Sequence, residues 1–161
     1  MDIVASRLKQ LQLAIPPVPK PGGNYVSAVR TGNLVYLSGA IGTVYSEGRW
    51  RLPLVGKLGR ELTIEQGYES ARHCVLNHLA ALQEMIGNLD HVRKVVKLMG
   101  YVNAAPGFTK APLVLDGASD LLASVFGNDI GSHARAVAYQ HEMSFNAPIE
   151  TDLLVEVSDA G

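Results

Sequence analysis

Two residues near the end of the chain have side chains suited to polar catalysis. Arg135 lies in SHARAVAYQ, a run that otherwise reads as sheet core, and Glu150 follows fifteen positions later in IETDLLVEV. A guanidinium is a planar fork that grips a carboxylate through two hydrogen bonds. A strand holds such a fork more rigidly than a loop does. A carboxylate can position water or exchange a proton with it. Arg135 therefore has two readings: a structural ion pair at a strand start, or a receptor for an anionic group. Glu150 would meet it if the two final strands pair, and cation and carboxylate would then share one pocket.

Other polar residues make weaker cases. His73 and His78 stand five apart, the wrong spacing for one helical face, and no glutamate follows His73, so zinc is not expected. His133 and His141 read as rim histidines of a late strand. Cys74 sits in an apolar helix with no activating base at helical spacing and reads as a small core residue. Ser38, in LSGAIG, is not in a nucleophile elbow. PGGN and SGAIG read as turns rather than phosphate loops. Trp50 reads as a loop cover.

The chain must bring such residues together within one unit. Its 161 residues are 47% apolar and 18% charged, with a formal net charge of −1 and one cysteine. That composition supports a real core. It lacks the basic footprint of a nucleic-acid binder, and one thiol excludes a disulfide-stapled fold. The N-terminal MDIVASRLKQLQL has no signal-peptide pattern, and no run reaches the length of a membrane span. The expectation is a cytoplasmic protein with neither nucleic-acid nor membrane partners.

The patterns along the chain give an order of elements. Residues 3–13 suggest a short helix, followed by a Pro/Gly-rich extended approach through residue 24. Residues 25–161 form the domain proper. Tyr25–Arg30 and Leu34–Leu37 flank Thr31-Gly32-Asn33 as a hairpin, and the stretch 47–61 reads as an irregular excursion. Thr63 opens a capping box with Gln66. From there apolar residues recur at helical spacing to Ile86, and Gly87 supplies the stop. A valine-rich strand spans 92–103, and a second helix runs from about Leu113 to Phe126. Strands at Ala134–His141 and Ile149–Val157 close the chain. The order β-β-α-β-α-β-β predicts an α+β fold with helices on one face of a sheet. On the last strand Ile149, Thr151, Leu153, Val155 and Val157 share one face, with Glu150, Asp152 and Glu156 on the other.

From Tyr25 to Val157 the sequence resembles the RidA/YjgF family of reactive-intermediate deaminases, also labelled endoribonuclease L-PSP. The resemblance rests on GNYVSAVRTGNLVYLSG, VVKLMGYVNAAPGF, VLDGASDLLASVFG, and HARAV with Glu150 fifteen later; KVVKLMGYVNAAPGFTKAPLVLDGASDLL is similar to a long-N-terminus branch. It implies a chorismate-mutase-like fold with a mixed sheet and two helices on one face. It also implies a barrel-like homotrimer with clefts between subunits. The implied chemistry is hydrolysis of amino-acid-derived enamines and imines such as 2-aminoacrylate, without cofactor or metal, to a 2-keto acid and ammonia. By the same resemblance Arg135 binds the carboxylate substrate and Glu150 positions water. Tyr25, Ser38, Gly39, Asp116 and Val137 join Arg135 in binding substrate.

Four departures bear on this. Asn24 stands where the family often has proline, Ala40 where glutamine often follows Ser-Gly, Asp116 where asparagine is frequent, and MSFNAP where Leu-Pro is common. A carboxylate at position 116 would repel an anionic substrate unless it faces elsewhere or pairs with Arg135. A non-catalytic binder of keto acids or other small carboxylates on the same fold is the alternative function. A ribonuclease is disfavoured by the near-zero charge and the absence of a paired-histidine site.

Overall fold

Hydrophobic periodicity turns into elements much as the sequence predicts, in a computed structural model that describes residues 2–158. Residues 159–161 of the expected domain lie outside the described residues. Helix α1 is Ile3–Gln10. Strands β1 (Ala28–Thr31) and β2 (Leu34–Ile41) form the expected hairpin, with Gly32 at a φ of 56° in the turn. Tyr25 falls before β1. The excursion at 47–61 is partly ordered, because Val44–Ser46 (β3) pairs with Arg49–Arg51 (β4). Its turn uses Glu47 and Gly48, both at positive φ, a signal weaker than Asn-Gly. Trp50 packs tilted against Tyr45, ring centroids 5.3 Å apart.

Helix α2 is Ile64–Ile86, and both halves of its capping box form: Gln66 N–H donates to Thr63 Oγ1, and Thr63 N–H to Gln66 Oε1. Strand β5 is Val92–Asn103. Helix α3 is Ala111–Phe126, two residues earlier than the apolar pattern suggests. Pro112 is in its first turn, where its fixed φ favours the helix and its missing N–H costs nothing. A single turn, α4 (Asn128–Gly131), leads into β6 (Ala134–Gln140), and β7 is Ile149–Val157.

The main sheet has the order β1-β2-β7-β5-β6. The two last strands do not pair, the condition for Arg135 to meet Glu150 within one chain: β5 lies between them. It runs antiparallel to β7 and parallel to β6. A parallel return needs a long crossover, and α3 supplies it. The core fills the space between one sheet face and α2 and α3. Leu98, Leu115, Leu122 and Leu153 are buried there, each worth about 1.5–3 kcal/mol. Helix α1 joins the same core through Val4 and Leu8. Its first turn is capped by Asp2 and by Asp90, whose carboxylate accepts from Ile3 and Val4 N–H at 2.8 Å. Among the described residues no helix is long and apolar enough to cross a membrane.

Two further contacts, one between the helices and one between helix and sheet, contribute to the stability of this layer. A Cβ at Gly117 would sit 2.1 Å from the Tyr68 carbonyl oxygen of α2. We expect Gly117→Ala to cost about 1–3 kcal/mol and to lower Tm by roughly 3–10 °C; an unchanged melting curve would contradict this close approach. The second contact is His78, fully buried with Nε2 2.9 Å from Thr151 Oγ1. Burial pushes its pKa from 6.5 down to about 4. The fold therefore favours neutral imidazole. The resulting stability is complete above pH 6.5 and is lost as pH falls from 6.5 through 4, on the order of 3 kcal/mol. Thermal melts should show a steeper loss over that range for the native chain than for His78→Gln.

Candidate active site

The sequence-predicted residues gather in two places. Arg135 is the second residue of β6. It stands in register with Leu98 of β5, which is in turn opposite Leu153 of β7. Registered neighbours share a sheet face, so Arg135 emerges on the helix-covered side, at the margin of the sheet. Its Nη1 donates to Asp116 Oδ1 at 2.7 Å and to Ser119 Oγ at 3.1 Å, both on α3. Nη2 reaches the Pro112 carbonyl at 3.4 Å. Asp116 does pair with Arg135, the alternative to repelling a substrate. Val137, two residues on, is half-buried on the same face and packs against the core.

Ser119 and His133 complete this group. His133 Nδ1–H donates to the Gly131 carbonyl at 2.6 Å, which leaves Nε2 as the acceptor of the Ser119 hydroxyl at 3.0 Å. Ser119 Oγ is therefore held from both sides, and it braces the arginine. Their spacing carried a signal: Ser119 lies three positions after Asp116 on one helix, and His133 two before Arg135.

Glu150 is on the other face. It is in register with Tyr101 of β5. Tyr101 Oη donates to Asp152 Oδ2 at 3.0 Å. Glu150, Asp152, Tyr101, Gly39, Gln140 and Met143 line a concavity of about 300 Å³. Another hollow of about 310 Å³, between residues 59–64 and 107–110, contains none of the predicted site residues. Glu150 is half-buried, and its carboxyl makes no hydrogen bond to any described residue. Its carboxyl pKa is raised, first by desolvation and then by the nearby Asp152. Water can protonate and deprotonate such a group at milder pH than an ordinary carboxylate.

Gly39 and Ser38 explain how Glu150 fits. The β2–β7 register shifts between Leu37 and Ala40, a bulge that re-aims the strand. A Cβ at Gly39 would lie 2.0 Å from Glu150 Oε1. The Ser38 hydroxyl donates to the Val26 carbonyl at 2.6 Å and Ser38 N–H to Ser27 O, tying the segment after Tyr25 to this bulge. Tyr25 is half-exposed, its hydroxyl accepting from Gly22 N–H at 3.2 Å. Within one chain, then, Gly39 and Glu150 form one group, with Ser38 beside Gly39, and Asp116, Val137 and Arg135 the other; Tyr25 makes no hydrogen bond to either group among the described residues. The condition under which Arg135 and Glu150 would share a pocket within one chain, pairing of the last two strands, is not met among the described residues.

The buried residues singled out earlier behave as core. Cys74 is fully buried and its thiol pKa is driven above the range of a reactive nucleophile. His78 is occupied by Thr151.

This arrangement of bulge, long helices and mixed sheet has known counterparts. A family model described as YjgF/chorismate mutase-like, putative endoribonuclease, matches residues 5–157. The chain belongs to the YjgF/chorismate-mutase-like family. Within it, protein TCP17 of Trypanosoma cruzi is 38% identical over 156 residues, 97% of this chain and 95% of that one. The Agrobacterium tumefaciens protein Atu1372, of unknown function, superposes with a TM-score of 0.86 at 35% identity, covering 98% of this chain and 94% of its own. A Shewanella oneidensis protein carrying the endoribonuclease designation gives 0.89 at 32%, covering 96% and 99%. The family resemblance read from the motifs is borne out, together with the α+β fold.

Replacing Gly39 tests the geometry of the carboxylate. In Gly39→Ala the methyl must push Glu150 toward water while the fold adapts through a flexible side chain. The Glu150 pKa, followed by NMR, should move back toward the ordinary carboxylate value, with Tm changed by less than about 4 °C. An unmoved titration would show that Gly39 does not hold the carboxyl in place.

Proposed function

We propose that this family member is a cofactor-free hydrolytic deaminase of small imines and enamines derived from amino acids, acting at clefts between copies of the chain in a homotrimer. The observation that carries the reading is Glu150: half-buried, unpartnered among the described residues, raised in pKa, and lining a concavity of small-molecule size. Such a carboxylate takes a proton from water as it adds to the imine carbon. It then returns a proton to the nitrogen, so the carbinolamine collapses to a 2-keto acid and ammonia. Positioning and charge complementarity supply the acceleration.

Arg135 is the group suited to the substrate carboxylate. Since it and Glu150 project from opposite faces of one sheet, they can meet only if a second copy lays its Glu150 face against the first copy's β6 margin. The helix-free face supports such packing, because Val29 and Tyr36 there are 53% and 49% exposed. A self-association that buries them removes an apolar patch from water.

A binder without turnover is the second reading. It is favoured by the Arg135–Asp116 pair, which engages part of the fork before any guest arrives.

The assay follows pyruvate and ammonia from 2-aminoacrylate generated in situ. Wild-type protein should accelerate their release, and Arg135→Ala or Glu150→Gln should slow it by about 10²–10³-fold. The acceleration should rise with pH through a pKa above the ordinary carboxylate range, as Glu150 becomes the base. Co-refolding the two variants should restore activity to about a quarter of the clefts if each cleft takes one residue from each copy. Full turnover by folded Arg135→Ala would overturn the mechanism. No product from several enamines, with Tm raised by a 2-keto acid, would establish the binder.

A further inference from the structure

We infer that Asp116 makes this site selective for zwitterions: with Arg135 it forms a bipolar receptor for an α-imino or α-amino acid carrying both a carboxylate and a cationic nitrogen, in preference to a mono-anionic keto acid. The inference rests on the reading that Arg135 receives the substrate carboxylate.

The geometry leaves each member of the pair one open side. Arg135 gives Nη1 to Asp116 and Ser119, but Nη2 has only the long 3.4 Å contact to Pro112 O. Its Nε has no partner among the described residues. A guest carboxylate can approach that edge without breaking the ion pair. Asp116 uses Oδ1 for the arginine, while Oδ2 makes no hydrogen bond to a described residue. Its side chain is 42% exposed, more than the 26% of Arg135. Unused donors and an unused acceptor thus lie side by side at the same surface.

Charge then decides which guests fit. A lone guanidinium attracts any small anion. A guanidinium already 2.7 Å from a carboxylate does not, because the attraction of one charge is largely offset by repulsion from the other. A zwitterion avoids that cancellation by setting its carboxylate on Arg135 and its cationic nitrogen on Asp116. The Ser119–His133 brace keeps the arginine from swinging away from its partner, so the two poles keep a fixed separation.

The chemistry of the proposed substrate agrees. An enamine acid with a neutral nitrogen is a mono-anion. Protonation at its β-carbon gives the iminium carboxylate, which has no net charge and a positive nitrogen. That tautomer is the one water attacks. Asp116 would hold the reactive form by facing its nitrogen, and would release the keto acid, which lacks the cation.

Pyruvate and L-alanine share a carbon skeleton and differ at C2, so they form a matched pair of probes. Isothermal titration of the full chain should give L-alanine a Kd at least about tenfold below that of pyruvate. In Asp116→Asn the ratio should move toward pyruvate by about tenfold or more. Asp116→Ser serves the same purpose if the asparagine variant does not fold. Pyruvate binding as tightly as alanine to the native chain, or a ratio unchanged in a folded Asp116 variant, overturns the inference and leaves the deaminase reading standing. Failure of both probes to bind overturns it too, and a parallel enamine assay shows whether the deaminase reading falls with it.

Discussion

The pleat of a β-strand sends neighbouring side chains to opposite faces, and this constraint governs the candidate site. Strand β7 is central in the sheet. Its odd-numbered residues from Ile149 to Val157 are buried under the helices, and Glu150 and Asp152 are turned away from them. Glu150 is thus held by the same backbone that holds the core. Moving it by one register would pull Ile149, Leu153 and Val155 out of the apolar layer, which no local adjustment could offset. Arg135 is fixed by the same rule through its register with Leu98. A chemistry that needs both residues must therefore be a property of an assembly.

The electrostatics of the two groups differ in kind. Around Glu150, partial desolvation and Asp152 disfavour charge, and the Tyr101 hydroxyl is directed to Asp152 instead. Around Arg135 every close partner is an acceptor, and Asp116 balances its charge. One half offers a proton-exchanging carboxyl, the other a rigid, neutralised ion pair. Bringing the halves together would place a group of adjustable protonation beside groups of fixed charge, a division of labour suited to adding water across a C=N bond.

Most of the fold was legible because its signals are local. The Thr63/Gln66 box, the apolar spacing of α2 and the alternation of β7 each state their outcome within a few residues. The pairing of strands is not local. Nothing in SHARAVAYQ or IETDLLVEV says that β5 will slot between them, so the sequence leaves open whether Arg135 and Glu150 meet in one chain, while both strands form as read. The short β3–β4 hairpin was missed because Glu47-Gly48 lacks the side-chain preference that marks such turns. Of the polar partners, Ser119 and Asp152 stand at readable spacings from Asp116 and Glu150. Tyr101 depends on long-range register, which one sequence does not reveal.

The cap of α1 has a consequence for how the chain comes to be folded. Asp90, which accepts from the amides of Ile3 and Val4, is 87 positions downstream of Ile3. Eight residues are too few to hold a helix alone in water. During synthesis α1 must therefore wait, on the order of ten seconds at ordinary elongation rates, before its anchor is made. Helix α1 is thus completed only once a segment made much later in the chain has joined it.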